Sequence, residues 1–328
     1  MNRVLVPQIN TPPAPRRNAL PVELRGETMG TTWSVRAFAP PGFNTPRFQA
    51  DIEALFADII AQMSPWAPNS LINHFNNLPT GAWLALPAHF NAVLDGALQI
   101  AEQSNGAFDP TLGALVDLWG FGATPPAHLP PTDHELNTAH AHVGWQKLTR
   151  DGARLRQPGG LRLDLNGVAK GYTVDQVIAL AKNASLPACL VEIGGELSGY
   201  GVKPDGQPWW VELEQPPGAN FERTIAALYN LAIATSGDYR RTAQVGDRII
   251  SHTLSPTSGQ PIDNNVASVA VLHPSCMYAD AYASVLTVLG AEKAIAFANT
   301  IKLPTLIAVR TESAIVEHVS EAAAAMLG

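Results

Sequence analysis

Strict alternation marks the first element of the chain. Trp33, Val35 and Ala37 alternate with Thr32, Ser34 and Arg36, which predicts a strand pair within Glu27 to Ala39. Pro40-Pro41-Gly42 closes it. The period then changes: Phe48, Ile52, Leu55, Phe56, Ile59 and Ile60 recur at helical spacing, predicting a helix that stops near Met63, ahead of Pro65. Val93, Leu94, Ala97 and Leu98 form the apolar face of a second helix, Phe90 to Ala101. Leu161, Leu163 and Leu165 alternate with Arg162 and Asp164, a strand expected to feed a glycine-bearing turn and a helix from about Tyr172 to Lys182. Cys189 to Ile193 reads as a strand ending at Gly194-Gly195, Val266 to Leu272 as another, with a helix starting near Tyr278. Residues 313–327 fit helix and strand equally. Strands and helices mixed without regular βαβ alternation predict an α+β architecture.

The ends and joints of the chain are read from composition. Residues 1–25 hold five prolines and no apolar run of signal-peptide length, and Arg16-Arg17 is followed by Asn18, Pro21 and Glu23 in place of a hydrophobic core. A disordered leader is expected over 1–25, with one domain over 26–328. Residues 123–132 contain four prolines and are the candidate subdomain seam. No stretch reaches the ~18 apolar residues of a membrane span. With 328 residues, 46% hydrophobic and 15% charged, the chain has the makings of a large buried core. The formal net charge of -7, without a Lys/Arg cluster, disfavours nucleic acid as a partner. An anionic ligand would need a local device, such as a metal, against that field. Cys189 and Cys276 stand far apart, in no metal or redox spacing, and read as buried thiols.

Three segments carry candidate chemistry. Leu163 to Tyr172 brings Asp164 to a turn at Gly167 and on to Lys170; close backbone approach, helix-start amides and an ammonium would suit an anion, although capping explains the same residues. The Walker and Gly-x-Gly-x-x-Gly patterns are both absent from it. Asp280 and Ser284 in Ala279 to Ser284 lie four apart, so on a helix their oxygens share a face, a hard-oxygen set suited to Mg²⁺; a helix cap is the alternative for Asp280. His252, in Ile250 to Gly259, precedes a Pro/Gly turn and could take a proton from an attacking hydroxyl, or simply be a surface residue. Trp66 and Phe108 offer flat apolar area for a flavin or adenine ring, if they are not core.

The order of these pieces is more specific than any one of them. Thr28-Met29-Gly30-Thr31, Met63 to Trp66 with Ser70 and Asn76, and Gly106 to Gly113 with Leu118 to Gly122 come first. Asp164 to Asp175, Ile193 to Glu196, Thr235 to Tyr239, Ser251 to Gly259 and Ala279 to Ala281 follow. From about Gly26 to Leu289 the chain resembles the ApbE family, the FAD:protein FMN transferases. The resemblance implies a fold of mixed and antiparallel sheets flanked by helices, with a ligand cleft between two subdomains. It implies FAD as substrate, with Mg²⁺ on the diphosphate held at Gly167, Asp280 and Ser284, and Ala283 as a further carbonyl. Flavin and nucleotide contacts would fall on Met29, Trp66, Ala107, Phe108, Asp109, Asp164, Lys170 and Leu254, and the base on His252.

The implied reaction passes FMN through a phosphoester bond to a Thr or Ser hydroxyl of a partner flavoprotein and releases AMP. Four positions depart from the family's pattern: Ser284 for a commoner Thr, Asn69 and Leu71 for acidic residues after the Trp, and Ser255 for an Asp three residues after His252. A metal-dependent FAD pyrophosphatase, which would use the same residues with water as the attacking group, is one alternative, and the Ser255 change keeps a non-catalytic flavin-binding protein as another. Family members are often exported, but without a visible export signal the expectation here is cytoplasmic.

Overall fold

The computed structural model describes residues 3–9, 14–123, 129–246 and 248–327. The chain divides into two compact units, one of Met1–Ala57, Lys170–Ser236 and Asn265–Gly328, the other of Asp58–Ala169 and Gly237–Asn264. Two helices, Thr45–Met63 and Asn166–Asn183, continue past the points of division.

The first unit is built on an eight-stranded sheet. Its order is Ile315–Val319, Thr305–Arg310, Val266–His273, Leu231–Gly237, Glu196–Tyr200, Ala188–Ile193, Thr31–Ala39 and Leu20–Thr28. One face sends Trp33, Val35, Ala37 and Val191 into a cluster with Phe48, Ile52 and Phe56 of the helix Thr45–Met63 and Val174 and Val177 of Asn166–Asn183. Each such side chain taken fully from water contributes about 1.5–3 kcal/mol, so the alternation in the sequence fixes which face of the strand turns inward. The opposite face packs Leu190, Ile233 and Leu272 with Leu5 and Trp209.

A three-stranded sheet in the same unit joins Arg3–Leu5, Thr224–Leu228 and Trp209–Glu212. Here the expected disordered leader is corrected. Arg3–Leu5 pairs in parallel with Thr224–Leu228, Leu5 is fully buried, and the strand Leu20–Thr28 already begins inside the supposed leader. Proline content concealed a short apolar anchor, Val4-Leu5, too brief for any periodicity.

The second unit is helical with small sheets. Phe90, Val93, Leu94, Ala97 and Ile100 of the helix Ala88–Gln103 are buried. Trp83–Ala85, Arg154–Arg156 and Thr149–Asp151 make one sheet, and Thr242–Val245 with Arg248–Ser251 a hairpin. Leu115, Trp119, Phe121, Val245, Ile250 and Leu254 form its second apolar cluster. Of the expected seam at 123–132, residues 124–128 lie outside the described residues. Thr132 caps the helix Asp133–His140 within this unit, so the division between units falls elsewhere.

Two further expectations are corrected. Leu161, Leu163 and Leu165 are each buried, as the alternation implies, yet the segment is not a ladder strand. Side chains take much of its hydrogen bonding: Leu163 donates its amide to Asn76 Oδ1 (2.7 Å), Asn76 Nδ2 returns a bond to the Leu163 carbonyl (3.1 Å), and Gln157 Nε2 donates to the Leu161 carbonyl (3.1 Å). The helix that follows begins at Asn166, six residues before the expected start. Its first turns contain Gly167 and Gly171, poor helix formers that hide them from propensity. Residues 313–327 resolve into both readings, a strand Ile315–Val319 and a short helix Glu321–Ala324. Among the described residues no helix is long and apolar enough to cross a membrane.

Candidate active-site residues in the two units

In the first unit, two helices and two turns converge on a buried charged group. Asp175, on the helix Asn166–Asn183, accepts hydrogen bonds from Ser275 Oγ (2.6 Å), the Cys276 amide (2.8 Å) and the Met277 amide (3.0 Å). A carboxylate thus satisfies the orphan donors at the start of the helix Cys276–Leu289 and locks the two helices together. One turn further on, Asp280 is 7% exposed and its Oδ2 accepts the Gly171 amide at 3.1 Å. Only glycine fits at 171: a Cβ there would lie 2.4 Å from the Cys276 carbonyl oxygen and 2.9 Å from Asp280 Cβ. Burial raises the Asp280 pKa above the ordinary carboxylate range, with Lys170 and the Gly171 bond working against it.

Lys170 Nζ donates to Glu196 Oε1 at 2.5 Å. Glu196 opens the strand Glu196–Tyr200 after the tight turn Gly194-Gly195, whose φ values of 63° and 103° require glycine, and is 4% exposed. Burial, more than its carboxylate neighbour Asp280, pushes the Glu196 pKa up to about 7 against the pull of Lys170. Burial works against the Lys170 ammonium, but Glu196 and Asp280 outweigh it and its pKa stands above the usual value. Glu196 Oε2 is buried without a hydrogen-bond partner among the described residues. Met29 sits in the two-residue turn between paired Thr28 and Thr31 with φ 51°, a left-handed conformation that a non-glycine residue rarely adopts. Thr173 Oγ1 lies 3.9 Å from its sulfur.

In the second unit, Arg241 organises a separate group. Its guanidinium lies 5.4 Å from the Trp66 ring and 5.9 Å from the Phe121 ring, and donates to the Phe121 carbonyl. Trp66 is 48% exposed, an open aromatic face. The Arg241 carbonyl accepts the His252 amide (3.1 Å) and lies 3.2 Å from His252 Nδ1. A carbonyl can only accept, so this contact assigns the ring proton to Nδ1 and leaves Nε2 as the basic nitrogen. Asp164 Oδ1 accepts the Asn166 amide (2.8 Å) at the start of the long helix. Burial raises the Asp164 pKa, Asp117 adds to that, and Arg241 opposes it.

Comparison with known proteins shows the family of the whole chain. The model of the ApbE family matches residues 29–308. The chain belongs to the ApbE family. A Vibrio cholerae FAD:protein FMN transferase is 36% identical over 91% of this chain and 90% of its own. The Haemophilus influenzae FAD:protein FMN transferase is 32% identical over 92% and 90%. The apo flavinyl transferase ApbE of Pseudomonas stutzeri superposes with a TM-score of 0.87 at 34% identity, covering 94% of this chain and 97% of that one.

The structure sorts the residues that the ApbE resemblance singles out. Met29, Lys170, Asp280 and Ser284 fall in the first unit, and Trp66, Asp164 and His252 in the second, with Gly167 on the opening turn of the long helix. Three others hold the scaffold. Asp109 Oδ1 accepts from the Thr111 amide (2.8 Å) and hydroxyl (2.6 Å) and Oδ2 from the Trp145 amide (3.1 Å), so its side chain fastens the loop that carries Ala107 and Phe108. Burial is what raises its pKa. Phe108 is 8% exposed, and the Leu254 side chain belongs to the apolar cluster, leaving mainly backbone for a ligand.

Ala283, the further carbonyl that the resemblance implies, lies on the helix Cys276–Leu289. Its carbonyl accepts the Thr287 hydroxyl at 2.7 Å. Sequence reasoning missed Arg241 and gave Glu196 no role; Glu196 lies in a quoted motif, and Arg241 just beyond one.

Proposed function

We infer that this ApbE-family chain transfers the FMN half of FAD to a hydroxyl side chain of a partner flavoprotein. The observation in the chain that carries it is the group around Arg241: an open Trp66 ring suited to stacking a flavin, and a histidine whose Nε2 is set up as a base. His252 Nε2 takes the proton of the acceptor Thr or Ser hydroxyl as its oxygen attacks the FMN-side phosphorus of FAD. The bond to the AMP-side oxygen breaks, and AMP leaves with the electron pair. Phosphoryl transfer asks little covalent chemistry of the protein, so placement and charge are what the residues supply.

We further propose that the reaction uses Mg²⁺. The residues fit it: two buried carboxyl groups, Asp280 and Glu196, lie near one ammonium, Lys170, and burial raises the pKa of both, a cost that a bound cation would relieve. Among the described residues no three of His, Cys, Asp and Glu gather to hold an ion. The proposed donors are accordingly one carboxylate (Asp280), one hydroxyl (Ser284, replacing Thr without loss of the oxygen) and the Gly167 carbonyl, an oxygen set that leaves room for phosphate and water. When bound, the ion neutralises charge that builds up on the diphosphate. Lys170 adds a second positive charge, and Met29, Trp66, Ala107, Phe108, Asp164 and the Leu254 backbone contact the flavin and nucleotide.

The Ser255 departure leaves the turn after His252 intact. Its carbonyl accepts the Gly259 amide (2.8 Å), its amide donates to the Gln260 carbonyl (2.8 Å), and its hydroxyl accepts the Ser258 amide (3.4 Å) as an Asp would. The test is incubation with FAD, Mg²⁺ and a flavoprotein carrying an exposed Thr or Ser segment, read by intact mass. An FMN-sized adduct that Asp280→Ala abolishes is expected. Free FMN and AMP without adduct would replace transfer by hydrolysis, and full activity of Asp280→Ala would remove Asp280 from the site.

A further inference from the structure

Lys170 donates to Glu196 and feels the charge of Asp280, whose carboxylate accepts the amide of the next residue, Gly171. The Lys170 stem has four rotatable carbons, and an ammonium that can turn will settle on whichever anion is nearest and driest. Asp280 acts on it electrostatically, yet the hydrogen bond is made to Glu196. Glu196 is the better-fixed partner. The two-residue Gly194-Gly195 turn pairs Ile193 with Glu196 and pins its backbone, and the side chain is buried. A pair kept purely for structure would be expected to satisfy both carboxylate oxygens, but Oε2 is buried with no partner among the described residues.

We propose that Glu196 is a positioning residue that draws the Lys170 ammonium away from Asp280, so that Asp280 stays open to a divalent cation while Lys170 is aimed at the diphosphate. Without Glu196 the ammonium turns onto Asp280 as an internal cation and competes with the metal. The proposal rests on the reading of Asp280 as a metal ligand.

The test is Mn²⁺ binding to the protein without FAD, read by electron paramagnetic resonance, with circular dichroism as a check on folding. Glu196→Gln is expected to weaken Mn²⁺ binding about 10-fold, the lower end for residues that support a metal ligand. Removing the competitor should undo this: the double variant Glu196→Gln/Lys170→Met is expected to bind Mn²⁺ within about threefold of the parent, a non-additivity that a general packing defect would not produce. Lys170→Met by itself should bind Mn²⁺ no more weakly than the parent. Unchanged binding in Glu196→Gln, or a double variant as weak as that single one, overturns the proposal. If Glu196→Gln fails to fold, weaker binding in Lys170→Met decides against it. Mn²⁺ binding by Asp280→Ala as tight as the parent's would instead sink the metal reading on which the proposal rests.

Discussion

Replacing Gly171 by Ala tests whether Asp280 is held where the site requires it. The added methyl would lie 2.4 Å from the Cys276 carbonyl oxygen, 2.7 Å from that carbonyl carbon and 2.9 Å from Asp280 Cβ. Ordinary contact begins near 3.4 Å. The main chain of the helix Cys276–Leu289 must therefore retreat by up to about 1 Å from Asn166–Asn183, a displacement of the kind that overpacking forces on a close-packed core. Overpacking of this kind costs about 1–3 kcal/mol, and a main-chain obstacle places it at the upper end. The same movement stretches the 3.1 Å bond from the Gly171 amide to Asp280 Oδ2, and losing a hydrogen bond to a charged group costs about 1.5–3 kcal/mol more. Against this, Ala in a helix interior gains about 0.5–1 kcal/mol over Gly. These terms overlap, and a net loss of about 3 kcal/mol is expected.

At about 2.1 cal/mol/K per residue the 328-residue chain has a melting entropy of about 0.7 kcal/mol/K, so that is a fall in melting temperature of roughly 4 °C by calorimetry. Because Asp280 moves with its helix, the Mg²⁺ concentration for half-maximal activity should also rise by about tenfold or more, as expected when support for a metal ligand is lost. A melting temperature and a Mg²⁺ requirement both equal to the parent's would show that the two helices are not packed as described, and would remove the reason for glycine at 171.

Two other outcomes follow from the same geometry. His252→Ala should lower the transfer rate by about 10²–10⁴, the usual contribution of a general base, while fluorescence titration finds FAD affinity little changed; a lost FAD signal would make His252 a binding residue instead. Burial raises the thiol pKa of both Cys189 and Cys276, so the reactive thiolate is suppressed up to pH 8 and returns on unfolding. A thiol reagent at pH 8 should therefore find no reactive thiol in the native protein and two in denaturant, and fast native labelling would contradict the packing around them.

Periodicity exposed the parts of the fold that bury one face. The strand Thr31–Ala39, the helices Thr45–Met63 and Ala88–Gln103, and the strands Ala188–Ile193 and Val266–His273 follow from the spacing of their apolar residues. The same signal misled at Leu161 to Leu165, because alternation reports which side chains are buried and says nothing of what the backbone pairs with. There the partners are Asn76 and Gln157, distant polar side chains, together with a short parallel bridge to the main chain of Pro110 and Gly113, none of which a local pattern could reveal. The long helix was shortened for a related reason: Gly167 and Gly171 are chosen for close approach, at the expense of helix propensity.

The candidate site divides in the same way. His252, Asp280 and Lys170 stand in motifs and were legible. Arg241 acts through ring faces and a main-chain carbonyl, contacts that leave no spacing to read.

The charge arrangement in the first unit supports the proposed dependence of the diphosphate on Lys170 and a cation. A helix start ordinarily offers free amides to a phosphate. At the start of Cys276–Leu289 that offer is already taken, because Asp175 occupies the Cys276 and Met277 amides and Ser275 Oγ accepts from Tyr278. Asp175 gives rigidity where an anion could have bound, and Asp280, one turn later, adds a second buried negative charge. In a chain of net charge -7, an anionic ligand has little to draw it there except the Lys170 ammonium and whatever cation the carboxylates attract. The fold has thus exchanged the helix dipole as an anion trap for a stiff mount that holds one carboxylate in place. On the proposed reading that carboxylate works through a metal, which is why the behaviour of Asp280 toward divalent ions bears on the whole reading of this site.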